Sequence, residues 1–167
     1  MATYRPNVAA ILRKPKSGKI LIAERMGNPG SWQFPQGGVD KGEDLIAALY
    51  REVEEETGVP SDKYSIVAAR TDYRYKFPNG HLKKKQFCGQ VQTYFLCDYY
   101  GKKHDIRLDA HVREFSQYKW IRPEDFPFEG VPKFKRPVFK RVFKDFFGVK
   151  LTLKRKAGSM VAAAPKA

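Results

Sequence analysis

Cysteine is nearly missing from this chain of 167 residues, which has only Cys88 and Cys97. Two isolated cysteines cannot build a disulfide scaffold, and no paired Cys or His spacing resembles a zinc site. Both are expected to be reduced structural thiols. No apolar run approaches the ~18 residues that cross a bilayer, and no charged-then-apolar leader precedes the first expected strand, so a soluble cytoplasmic protein is expected. Internal repeats are absent too. Acidic residues are scarce beside basic ones, 18 against 32, for a formal net charge of +14.

What is present points to a folded domain. Hydrophobic residues make up 42% and aromatics 14%, too many for a wholly disordered chain despite the charge. The length fits one domain, placed at residues 1–149, followed by a disordered, non-catalytic basic tail at 150–167. Five basic residues (Lys150, Lys154, Arg155, Lys156, Lys166) meet no acidic one in that tail, so five of the fourteen positive charges lie there and +9 remains on the body. A basic body serves solubility or attracts a polyanion such as a nucleotide or RNA end.

Against that background, residues 37–59 are acidic. A helix is expected from Asp44 to about Thr57, stopped by Gly58, with Leu45, Ile46, Leu49, Tyr50 and Val53 on its core side. Glu52, Glu55 and Glu56 flank that stripe within roughly a quarter of the helix face. Like charges at these spacings repel by about 0.2–0.5 kcal/mol per pair, and acids near a C-terminus oppose the helix dipole. Either the face is merely solvated, or a cation offsets the repulsion. Gly37 and Gly38 either make the turn into the helix or aim a carbonyl at that cation.

Elsewhere, residues 8–13 and 20–24 read as a hairpin, preceded by a polar lead in which Arg5 is a solvated charge or a phosphate contact. Residues 27–38 read as a loop, a short strand and a second loop. Strands are expected at 64–77, 92–100, 106–108 and 118–121, then one helical turn starting at Pro123. A final amphipathic helix at 137–147 ends at Gly148. Lys83, Lys84 and Lys85 form a solvated loop run or a phosphate contact. Phe134, beside Lys135 and Arg136, fits either the core or a base-stacking platform.

Nine residues of the acidic stretch, Gly37, Glu43, Arg51, Glu52, Val53, Glu55, Glu56, Gly58 and Val59, fill the pattern G-x5-E-x7-R-E-U-x-E-E-x-G-U, in which U is aliphatic. This resembles the signature box of the Nudix hydrolases, with no departure. Likeness extends to Tyr4-Arg5-Pro6-Asn7, the segment from Ser31 to Gly38, Arg74-Tyr75-Lys76, Glu114-Phe115, Tyr118-Lys119-Trp120 and Phe134-Lys135-Arg136. These are similar to the branch of bacterial RNA 5′-pyrophosphohydrolases and plant-type diadenosine tetraphosphate hydrolases.

The resemblance implies an α/β fold, an α/β/α sandwich around a mixed central sheet. It implies magnesium or manganese held by the Gly37 carbonyl, Glu52, Glu55, Glu56 and Glu114, with Glu56 or Glu55 as the base. Arg51 and Glu43 then take supporting roles, and Arg5, Arg25, Tyr75, Lys76, Phe134 and Lys135 contact substrate. The reaction implied is metal-assisted attack of water on a nucleoside-linked polyphosphate. The first expectation is release of pyrophosphate from the 5′-triphosphate end of RNA. Asymmetric cleavage of diadenosine tetraphosphate is the alternative, and a non-catalytic RNA- or nucleotide-binding module the reading from a different class. Retention of every acid in the box speaks against that last one. Oligomeric state is not legible.

Overall fold

The computed structural model describes residues 3–78 and 87–154, so Lys83, Lys84, Lys85 and most of the basic tail lie outside the described residues. The elements are β1 (Tyr4–Arg13), β2 (Ile20–Arg25), β3 (Trp32–Gln33), β4 (Gln36–Gly38), α1 (Leu45–Thr57), β5 (Tyr64–Lys76), β6 (Gly89–Tyr99), β7 (Phe115–Ile121) and α2 (Arg136–Phe147). Seven strands form one sheet in the order β3-β2-β1-β6-β5, with β4 also on β1 and β7 on β2. The β1–β6 pair is parallel, from Tyr4 opposite Gly89 to Arg13 opposite Asp98, and the other pairs are antiparallel. The sheet is therefore mixed.

β1 explains the layers. Its run Val-Ala-Ala-Ile-Leu shows no polar alternation because both faces are covered. Val8, Ala10 and Leu12 pack with Ala48, Leu49 and Val53 of α1. Ala9 and Ile11 face the other way, toward Val138, Phe139, Val142 and Phe143 of α2. One helix on each side gives the α/β/α sandwich. Full burial of a side chain such as Leu49 or Phe143 contributes about 1.5–3 kcal/mol.

Local chemistry fixes the helix ends. Asp44 caps α1 by accepting from the Ile46 and Ala47 N–H groups at 3.1 and 3.3 Å. Gly58 takes the left-handed conformation (φ 74°) and donates to the Glu54 carbonyl. Gly148 closes α2 in the same way (φ 64°).

Three expectations are corrected. Leu45, Ile46 and Tyr50 are exposed, and the buried face of α1 is Ala48, Leu49, Val53, Glu56 and Thr57. Burial along the helix is carried by its later turns, where Glu56 and Thr57 join Leu49 and Val53 against the sheet while the first apolar turn stays open. Residues 106–108 form no strand: Ile106 and Leu108 are buried after a 3₁₀ turn, and the Arg107 N–H donates to the Thr57 carbonyl at 2.6 Å, covering the end of α1. The polar lead at 4–7 is strand, because β6 and β4 together pair with it.

The chain stays packed past α2, with Leu151 in the core and the Lys154 N–H donating to Glu129. Both cysteines are free, and burial pushes the Cys97 thiol up to about 12, so it is inert. Among the described residues no helix is long and apolar enough to cross a membrane.

Candidate active site

α1 carries three glutamates to the edge of β4. Glu56 is 2% exposed and accepts from the Gln36 N–H at 3.1 Å. Burial, reinforced by the negative charge of Glu114 alongside, pushes its carboxyl up to about 10. Glu114, just before β7, is also within hydrogen-bond reach of Glu56. Its backbone carbonyl accepts from the Met26 N–H, which ties this acid to the end of β2. Glu52 is raised as well, by burial first, against the opposing pull of Arg51. Glu55 lies outermost, with 47% of its side chain exposed.

Arg51 organises these acids. Its Nε and Nη2 donate to the two oxygens of Glu43, each at 2.8 Å, a bidentate fork. Nη2 also donates to the Gly38 carbonyl at 2.9 Å, Nη1 to Glu52 at 2.7 Å, and Glu55 stands 3.5 Å from Nη1. The fork holds the Glu43 carboxyl well down, to about 2, and raises the guanidinium. One side chain therefore links the glycine turn, the start of α1 and two of its acids.

Whether a divalent cation fits can be tested on this geometry. Among the described residues, no three acidic, histidine or cysteine side chains form a closed cation cluster. The donor set nevertheless suits a hard cation: the carboxylates of Glu52, Glu55, Glu56 and Glu114 offer only oxygen. The buried Glu56 stands within hydrogen-bond reach of Glu114, an arrangement in which both carboxyls ionise only beside a cation. Gly37 makes a cradle as well, since a β-carbon there would collide with the Glu52 carboxylate. The residues fit the group.

A second set gathers near α2. Lys135 Nζ lies 5.4 Å from the Tyr75 ring centroid and 5.8 Å from that of Phe134, and the two rings are 5.6 Å apart. Phe134 is only partly buried, packed on the core yet keeping an open side. Burial pulls the Lys135 ammonium down, with Arg25 nearby adding to the effect. Arg25 itself borders a cleft of about 660 Å³ with Ser31, Trp32 and Pro132. Arg5 lies against Gly38 at the glycine turn. Lys76 does not join either set: Tyr75 is buried, whereas Lys76, the next residue along β5, is exposed.

Two polar networks were not foreseen. Asn7 donates to Gln36 at 2.8 Å and accepts from Gln92 at 2.9 Å, and both glutamines line a small pocket with Tyr94 and Lys135. Polar residues inside the apolar runs of β1 and β6 were the available signal. Glu24 accepts from the Gly30 N–H, Ser116 and Gln117, and those bonds lower its pKa and fasten the 26–31 loop to β7. An acid at a strand end carried no such signal.

Comparison with known proteins follows the same lines. The Nudix domain model matches residues 3–142. An RNA pyrophosphohydrolase of Novosphingobium aromaticivorans is 40% identical over 150 residues, covering 86% of this chain and 92% of that protein. One from Nitratiruptor sp. is 45% identical over 148 residues, covering 86% and 93%. The crystal structure of a C. elegans Ap4A hydrolase binary complex superposes with a TM-score of 0.60 at 20% identity, over 85% of this chain and 98% of that one, a likeness of fold. Nudix proteins generally work with divalent cations, in keeping with the oxygen-lined cradle. By sequence, fold and the filled acidic box, this chain belongs to the Nudix family.

Proposed function

We propose that the protein hydrolyses the 5′-triphosphate end of RNA and releases pyrophosphate. The observation that carries the reading is the pairing of two sets of groups. Glu56 has Glu114 within hydrogen-bond reach and feels the charge of Glu52 by the glycine turn, while Lys135 lies near the Tyr75 and Phe134 rings with Arg25 close by. The first set suits a metal-bound polyphosphate and the second the nucleotides attached to it. The similar bacterial RNA pyrophosphohydrolases support this substrate.

Magnesium or manganese, held by the Gly37 carbonyl, Glu52, Glu55, Glu56 and Glu114, would neutralise phosphate oxygens and lower the pKa of the attacking water. The chain's own residues do the rest. Arg51 orients Glu52 and is itself held by Glu43. Glu56 or Glu55 takes the proton from water: the place of Glu56 beside Glu114 and the Gln36 N–H supports the one, and the solvent access of Glu55 the other. Arg5, beside the glycine turn, and Arg25 neutralise outer phosphate oxygens. Phe134 and Tyr75 receive a base, with Lys135 over both rings. The exposed Lys76 is left as an outlying phosphate contact.

The test compares turnover of a 5′-triphosphorylated RNA and diadenosine tetraphosphate in magnesium, with Glu55→Gln, Glu56→Gln and Phe134→Ala alongside. Pyrophosphate release from RNA, lost in at least one glutamate variant and with a KM raised about tenfold in Phe134→Ala, is the expected result. Rapid cleavage of the dinucleotide with RNA untouched would replace the substrate assignment. Nucleotide binding without any phosphate or pyrophosphate release would replace the enzyme with a binding module.

A further inference from the structure

At the far end of β7 lies a second basic and aromatic surface that the hydrolytic reading leaves unused. Tyr99, Tyr118, Trp120, Lys14, Lys102 and Lys103 border a cleft of about 420 Å³. It adjoins another of about 490 Å³, which shares Lys14, Tyr99 and Gly101 and adds Lys16 and Lys19. Among the described residues, no acidic side chain lines either cleft. Two acids beside the lining residues are engaged: Asp98 pairs with Arg13 at 2.9 Å, and Asp105 accepts from the Lys102 N–H at 2.7 Å.

The floor is preformed. The Tyr99 and Trp120 rings are 5.5 Å apart and 33° from parallel, and Lys14 Nζ lies 4.7 Å over the Trp120 ring. The Tyr99 hydroxyl donates to the Lys102 carbonyl at 2.7 Å. A β-carbon at Gly101 would collide with the Tyr99 ring, so the backbone crosses this ring where only glycine fits. Five residues of extended chain, Phe115 to Lys119, lie between Glu114 and Trp120, six steps or about 20 Å, which keeps the trench clear of the acidic site.

We propose that this trench binds single-stranded RNA, the body of the substrate whose 5′ end reaches the acidic site. The inference rests on the proposed function for its choice of polyanion. Flat aromatic surfaces among lysines accept bases and phosphates together, without demanding a sequence. Lys14 then leaves the ring for a phosphate as a base stacks on Trp120.

The full chain is tested by equilibrium binding of a 5′-hydroxyl RNA of about a dozen nucleotides, which needs no turnover. Trp120→Ala, and separately Lys102→Glu with Lys103→Glu, should each weaken binding about tenfold, and the lysine pair should flatten its salt dependence. Turnover of a triphosphorylated dinucleotide, too short to span the distance, should be unchanged. Both lysines are exposed, so their variant keeps the test alive if Trp120→Ala unfolds. Undiminished RNA binding in the lysine variant would overturn the proposal, as would equal competition by polyglutamate, which has charge but no bases. If the wild type leaves all triphosphorylated RNA intact, the hydrolytic reading fails, and the binding comparison still decides the trench.

Discussion

Gly37 and the carboxylate of Glu52 meet with no room between them for a β-carbon. Gly37→Ala must therefore displace either the glycine turn or the acid beneath it. A shift of about 1 Å at such a site costs on the order of a hundredfold in rate. We expect kcat to fall by about that factor while the melting temperature changes little. A fully active Gly37→Ala enzyme would contradict the packing.

Glu56 gives the metal-free protein a pH signature. Its carboxyl is pushed up to about 10 from an ordinary 4.5. The folded state holds that proton more tightly than the unfolded chain does, so its stabilising effect is complete below about 4.5 and is lost as pH rises toward about 10. The slope is at most ~1.4 kcal/mol per pH unit. In chelator, Glu56→Gln should lack this decline, and added magnesium should reduce it in the wild type. Parallel melting curves of wild type and variant across that range would refute the assignment.

Arg51 is expected to act through geometry more than charge. Lysine keeps the cation but cannot reach Glu43, Glu52 and the Gly38 carbonyl at once. Arg51→Lys should lower kcat by about 10–100-fold with a smaller change in KM. A variant that changed KM alone would instead make Arg51 a substrate contact.

Tyr64 offers a stabilising substitution. Among the described residues its hydroxyl is the one buried side-chain polar atom without a hydrogen-bond partner. Tyr64→Phe removes that unmet group and should raise the unfolding free energy by about 1 kcal/mol in urea titration. Any loss of stability would reveal a partner, such as a water molecule.

Local rules read much of this molecule correctly. Asp44, Gly58 and Gly148 mark their helix ends by side-chain capping and left-handed glycine geometry, which depend on immediate neighbours. The acidic face of α1 was legible from spacing alone. The exposure of Leu45, Ile46 and Tyr50 was not, because they share its apolar side and spacing alone does not say how far along the helix the cover extends. Glu114 emerged only through resemblance, since its meeting with Glu56 joins residues 58 positions apart. The Asn7–Gln36–Gln92 network has the same cause: its members come from three strands. Tyr4–Asn7 became strand because tertiary pairing outweighed a weak local preference.

The parallel pairing of β1 with β6 sets the order in which a ribosome can deliver a working protein. Arg13 and Asp98, 85 residues apart, close the register of that pair. The acidic helix leaves the exit tunnel before β6 exists, so the box is finished while β1 has only its antiparallel neighbours β2 and β4. Such distant strand pairing slows folding and leaves strand edges open meanwhile. Refolding followed by stopped-flow fluorescence should take milliseconds to seconds, and Arg13→Ala should slow it if this register forms in the transition state. A microsecond folder would mean that β1 and β6 meet by some more local route.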